Sequence, residues 1–266
     1  MNAPPIQKIL LALPFLLWTT PTWAAPWYNS AFSAQIQKSD PNDPTSNATA
    51  QIIVGKESFR AQADHNGQQI VVIFNSKTQK SWTLNTGKKE FYEGVINAPE
   101  PPKVDIDLLP DDPQSNCNQP KGPTCTKVGQ EKVNGIPADK WHIQVTDQAG
   151  QSLLISLWSD PSRKIILRQE VPNGPTMNRV LAGVENINNR KTEKWEITEA
   201  FQDKKHTVTK WIDLNLHIPI RIQSDTGSKI ELSQIQEGSQ PDTLFQVPAD
   251  FKQIATPTAP QSPPAK

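Results

Sequence analysis

Residues 128–143 read VGQEKVNGIPADKWHI, and residues 182–197 read AGVENINNRKTEKWEI. At an offset of 54, Gly129/Gly183, Glu131/Glu185, Asn134/Asn188, Lys140/Lys194, Trp141/Trp195 and Ile143/Ile197 are identical. Val133/Ile187 and Asp139/Glu193 are close. Downstream, WSD (158–160) matches WID (211–213) at an offset of 53, and Leu167-Arg168 then matches Ile220-Arg221. Matches held in register this far mark a duplicated unit of about 54 residues, a period that belongs to repeat architecture.

Each copy reads as about four strands. In the first they fall near 126–133, 139–146, 152–159 and 164–171, and in the second near 180–187, 193–200, 206–213 and 218–224, with 229–235 closing the chain. KWHIQV puts Trp141, Ile143 and Val145 on one face and Lys140, His142 and Gln144 on the other; KWEI repeats this with Trp195 and Ile197. One face packs inward and the other meets water, as in an antiparallel sheet. The duplication widens one sheet.

The N-terminal part is a meander of the same kind. SAFSAQIQ (30–37), ATAQIIVG (48–55), ESFRAQAD (57–64), QQIVVIFN (68–75), SWTLN (81–85) and KEFYEG (89–94) read as strands, with Asn66-Gly67 as a hairpin signal. No helical periodicity appears, and 25 prolines oppose long helices. The fold class expected is all-β: a dozen or more strands in an antiparallel sheet that curls toward an open barrel or splits into a sandwich. Residues 95–126 interrupt the pattern with seven prolines and CNQPKGPTC, and read as a stapled flap in which VDIDLL (104–109) is a short strand or one helical turn.

The first 24 residues read as a secretory signal: Lys8, then the apolar run 9–18, then small residues, with cleavage after Ala24. Ten apolar residues are too few to span a bilayer, which takes about 20. A secretory route implies an oxidising compartment and a structural Cys117–Cys125 disulfide. Residues 25–254 then form the β domain, with repeat units 126–181 and 182–236, and the Pro-rich 255–266 reads as a disordered tail. Lys+Arg and Asp+Glu are both 27 with no basic stripe, so nucleic acid is not an expected partner. A monomer without a transmembrane segment after cleavage is expected.

At KVGQEKVNGIPADKW, then Trp211-Ile212-Asp213, Ile218-Pro219-Ile220-Arg221 and Leu244-Phe245-Gln246-Val247-Pro248, the chain resembles a family of periplasmic proteins. This is the LolA/LolB-like family, with the outer-membrane lipoprotein-carrier fold. The resemblance covers roughly residues 28–254. It implies a strongly curved, open antiparallel half-barrel whose concave apolar face can hold acyl chains or hydrophobic peptide segments, in the periplasm of a Gram-negative bacterium. The sequence departs from the family where a helical lid would sit, since 95–126 is Pro-rich and carries both cysteines. It also shows no counterpart of the receptor's apolar hook and no lipid-attachment cysteine.

Chemical motifs are scarce. There is no G-x-S-x-G or S-x-x-K nucleophile, and His65, His142, His206 and His217 lack zinc-ligand spacing. Asp105, Asp107, Asp111 and Asp112 read as a solvated acidic loop, so neither metal nor cofactor is indicated and the chain does not read as an enzyme. The candidate ligand-binding residues, as lining of the concave face, are Trp82, Leu84, Trp141, Ile143, Trp158, Trp195, Ile197, Trp211 and Ile220. Arg168 and Arg221 read as surface support. The expected function is binding or carrying an acyl-bearing lipid or lipoprotein; the alternative is an envelope protein-interaction or stress-sensing module with no small ligand.

Overall fold

The computed structural model describes residues 30–65, 67–94, 107–146 and 152–256. The expected signal segment 1–24, Asn66 of the Asn-Gly turn, residues 95–106 of the flap and residues 257–266 of the tail lie outside the described residues. Strands dominate: β1 (Phe32–Ser39), β2 (Ala48–Val54), β3 (Ser58–His65), β4 (Gln68–Asn75), β5 (Lys80–Asn85), β6 (Glu90–Gly94), β7 (Thr124–Val133), β8 (Ile136–Thr146), β9 (Ser152–Asp160), β10 (Ile165–Glu170), β11 (Thr176–Ile187), β12 (Arg190–Phe201), β13 (Lys204–Asp213), β14 (Pro219–Ser224), β15 (Lys229–Glu237) and β16 (Lys252–Gln253). Hydrogen bonding orders them into one mixed sheet that does not close into a barrel. The expected antiparallel pairing holds along the meanders, while the two-residue β16 runs parallel to β6. The described residues form two compact units, 30–94 with 230–256, and 107–229.

In the first unit the order is β16-β6-β5-β4-β3-β2-β1-β15. Consecutive residues are buried on β2 (Ile52, Ile53, Val54) and β4 (Val71, Val72, Ile73, Phe74). Side chains alternate faces along a strand, so both faces are covered here, which is why the sequence shows apolar runs instead of alternation. One face is built on Val71, Ile73 and Leu84, against which Trp82, Phe91, Phe245, Val247 and Phe251 pack. The last three belong to the segment after β15. That segment continues as a strap along β6: Lys252 N–H donates to the Lys89 carbonyl and Ile254 N–H to that of Phe91, each at 2.8 Å. Thr256 Oγ1 donates to the Glu93 carbonyl at 2.9 Å.

In the second unit the order is β14-β13-β12-β11-β10-β9-β8-β7. Asn134-Gly135 turns β7 into β8 with φ of 51° and 83°, and Asn188-Asn189 turns β11 into β12 with φ of 49° and 63°. Two consecutive positive φ values match the right-handed strand twist, and Asn and Gly tolerate them best. Residues 107–123 form a run of tight turns, closed by the Cys117–Cys125 disulfide with a Cα–Cα distance of 5.6 Å. A Cβ on Gly122 would lie 1.9 Å from the Asn116 carbonyl oxygen, so only glycine fits there. Of VDIDLL, the described residues 107–109 form neither strand nor helix. Instead the Asp107 carboxylate accepts the Ile166 N–H at 2.6 Å and faces Arg179 at 3.4 Å.

Candidate functional site

The duplication extends to the irregularities of the sheet. A bulge falls between Lys127 and Gly129, opposite Trp141 and Lys140, and its counterpart falls between Leu181 and Gly183, opposite Trp195 and Lys194. A second pair lies at Leu167 between Ile166 and Arg168, and at Ile220 between Pro219 and Arg221. Leu167 and Ile220 are both fully buried. Bulges re-aim side chains, and here they re-aim the same residues twice.

Register assigns the faces. Lys140 lies directly opposite Trp158, and Lys194 opposite Trp211. Residues directly opposite share a face and neighbours along a strand alternate. Trp158 and Trp211 therefore lie on one face. Trp141 and Trp195 lie on the other, which the register carries through Leu157, Gln169, Met177 and Glu199.

On the Trp158 face each copy builds the same ladder. Trp158 is flanked by Lys140 at 4.8 Å and Arg168 at 4.9 Å from the ring centroid, and Trp211 by Lys194 at 5.5 Å and Arg221 at 5.4 Å. The Lys140 ammonium (2.8 Å) and the Trp158 indole N–H hold the Glu131 carboxyl below the usual carboxylate range. The Trp211 indole N–H (2.9 Å) and Lys194 (3.3 Å) do the same for Glu185. Each indole is thus shielded by cation stems and its N–H satisfied, an arrangement that accounts for the Glu, Lys, Trp and Arg identities of the repeat.

The WSD and WID motifs end in turn caps. Asp160 accepts the backbone N–H groups of Ser162 (2.9 Å) and Arg163 (3.2 Å) and the Arg163 guanidinium (2.8 Å). Asp213 accepts Asn215 N–H (2.9 Å), Leu216 N–H (2.7 Å) and the Arg190 guanidinium (3.0 Å). Burial pushes both carboxyls up, but these donors outweigh it and hold both below the usual range.

The Trp141 face is different. Ile143 sits opposite Ile155, Val145 opposite Leu153, and Ile197 opposite Val208. All six are only half-buried, where the first unit covers its β2 and β4 aliphatics on both sides. Beside them Trp141 and Trp195 are buried. Trp195 donates to Glu193 at 3.0 Å. Trp141 has no such acceptor: its Nε1 is buried without a hydrogen-bond partner.

By strand register, Trp141, Ile143, Trp195 and Ile197 share one face of the second unit and Trp158 and Trp211 the other, while Ile220 sits buried in a bulge. Trp158 and Trp195 nevertheless belong to one buried cluster, with Val133, Ala138, Ile165, Leu167 and Ile212. Trp82 and Leu84 belong to the first unit, where the Trp82 indole donates to Glu93 at 3.3 Å. The first unit also holds a cleft of about 490 Å³, lined by groups such as Glu57, Ser58, Asn75 and Gln240, a polar wall unlike an acyl site. Among the described residues no group of three or more His, Cys, Asp or Glu side chains could hold a metal, and no helix is long and apolar enough to cross a membrane. Lys127, Asp139 and Arg179 were not singled out from sequence, although Lys127 and Asp139 frame Trp141. The signal that could have found Lys127 is a break in the repeat, where its counterpart is Leu181.

No protein-family model and no curated protein matches the chain. Among solved structures it is similar to a LolA superfamily protein from Nitrosomonas europaea, at 11% identity and a TM-score of 0.36, over 82% of this chain and 90% of that one. It is also similar to a putative outer membrane lipoprotein-sorting protein domain from Vibrio parahaemolyticus, at 10% identity and a TM-score of 0.24, over 84% and 91%. The MucA/MucB complex of Pseudomonas aeruginosa aligns at 12% identity and a TM-score of 0.19, over 82% and 92%. With TM-scores of 0.36 and below, none of these likenesses bears on the reading of the site, which stands on this chain's own residues.

Proposed function

We propose that this protein binds and carries a hydrophobic, acyl-bearing ligand on the Trp141–Trp195 face of its second unit, in the periplasm. The observation that supports this reading is the half-buried aliphatic set Ile143, Val145, Leu153, Ile155, Ile197 and Val208. A strand face that presents aliphatics without fully covering them gains by covering them. Each buried methylene is worth about 0.8 kcal/mol, so one acyl chain can be held with few polar contacts. The disulfide fits an oxidising compartment.

The test is native mass spectrometry, with lipid extraction, of protein exported to a bacterial periplasm and purified without detergent. A retained mass of several hundred daltons is expected, lost in Ile143→Lys and Ile197→Lys, which place a charge at half-exposed positions. A clean protein mass that also takes up no added monoacylglycerol would overturn the reading. A second reading, docking of an extended segment from an envelope protein, is favoured by β7. This strand ends the sheet order and is exposed over most of its length. Its bulge and its lysines, Lys127 and Lys132, are the features that blunt a sheet edge, and so weigh against that reading.

A further inference from the structure

Four of the five described tryptophans satisfy their indole N–H with a glutamate: Trp82 with Glu93, Trp158 with Glu131, Trp195 with Glu193 and Trp211 with Glu185. Trp141 is the exception, 9% exposed with its Nε1 buried and unpartnered. Its counterpart explains how this arises. Glu193 lies two residues before Trp195 and reaches the indole. At the matching place stands Asp139, one methylene shorter. Its carboxylate is already taken by Lys127 Nζ at 2.6 Å and Gln130 Nε2 at 2.7 Å. In the second copy the residues matching Lys127 and Gln130 are Leu181 and Val184, which cannot bond Glu193; Arg163 takes its Oε1 and leaves Oε2 to the indole. Three differences between the copies, at Lys127, Gln130 and Asp139, therefore withhold the internal acceptor from one indole of a matched pair. Buried donors are nearly always paired, so an orphan one marks either a tolerated penalty or a place for an external acceptor.

Resting on the carrier reading above, we infer that Trp141 Nε1 is the polar contact of the acyl site, donating to the ester carbonyl oxygen of the bound ligand. The aliphatic neighbours Ile143 and Ile155 take the chain, and the indole N–H fixes its head. A neutral acceptor suits the place better than a carboxylate. Lys127 and Asp139 neutralise one another there, and Asp139, only 4% exposed, would repel a second anion. A buried site built to pair one polar group discriminates against analogues that lack it.

The experiment uses the full chain, ¹⁵N-labelled, with palmitoyl monoglycerol and the hexadecyl ether of glycerol, which shares the chain but lacks the carbonyl. The Trp141 indole resonance is identified as the one lost in Trp141→Phe. It should move downfield with the ester and not with the ether. Trp141→Phe should weaken the ester roughly three- to tenfold and leave the ether unchanged. Asp139→Glu supplies the longer carboxylate that Trp195 enjoys. It should lower ester affinity severalfold while keeping the ring, so the inference stays testable if Trp141→Phe folds poorly. An unmoved indole resonance on ester binding, or equal loss of ester and ether, would overturn the inference and leave the carrier reading standing. If the wild-type chain binds neither probe, the carrier reading fails and this inference with it.

Discussion

The two repeat copies share bulges, capping aspartates, positive-φ turns and cation-flanked tryptophans, yet they treat one buried indole in opposite ways. Trp195 is tied to Glu193, and Glu193 in turn is gripped by Arg163 at 3.3 Å. Trp141 is tied to nothing, because Lys127 and Gln130 draw Asp139 away. What both copies keep is scaffold; what differs between them is the acceptor given to this indole. The two caps differ as well: Asp213 pairs with the more deeply buried Arg190, while the more exposed Arg163 is shared between Asp160 and Glu193.

The largest effect expected concerns the caps. Asp213→Ala leaves Arg190 largely buried without its carboxylate and strips two turn N–H groups of their acceptor, and should cost about 3 kcal/mol in urea unfolding. Asp160→Ala should cost less, about 2 kcal/mol, because Arg163 is more exposed and keeps Glu193. Equal losses would break the contrast between the caps. The indoles come next. Trp195→Phe removes a bond to a carboxylate and should cost roughly 1–2 kcal/mol more than Trp141→Phe, which removes an unpartnered donor. Similar losses would mean that Trp141 finds an acceptor in solution.

Acid should sharpen the caps further. Both Asp160 and Asp213 are held below their usual range when folded. Their stabilisation is complete above the unfolded carboxylate value, about 3.9, and is lost as pH falls through the lower folded value. The urea midpoint of the wild type should therefore drop below about pH 4, and that of the Asp160→Asn/Asp213→Asn double variant should drop less steeply. The smallest effect belongs to the turns. Asn189→Gly converts the second hairpin to the Asn-Gly of the first, and should change stability by less than about 0.5 kcal/mol, since both residues accept positive φ.

Much of the fold was legible because strand alternation and turn chemistry are local. KWHIQV placed Trp141, Ile143 and Val145 together, and Asn134-Gly135 announced its turn. The disulfide followed from two cysteines and a secretory reading, and it is present. The face of one strand relative to the next was not legible, because that depends on register. Trp158 looked like a companion of Trp141, but the Lys140–Trp158 pairing puts it on the opposite side. Bulges compound this: nothing local announces that Leu167 and Ile220 interrupt the alternation. Glu131, Lys140 and their counterparts were visible as identities, but their common purpose, shielding an indole, needs three strands side by side.

The strap of residues 252–256 has a consequence for solubility. By donating to the carbonyls of Lys89, Phe91 and Glu93, it occupies the outer side of β6. An unoccupied strand edge is a template on which another chain can grow a sheet. A chain shortened before Lys252 would keep every core residue of its sheet and still acquire an open border, and with it a tendency to polymerise. Residues 252–256 thus serve as a hem, keeping each molecule from being continued by the next along this edge.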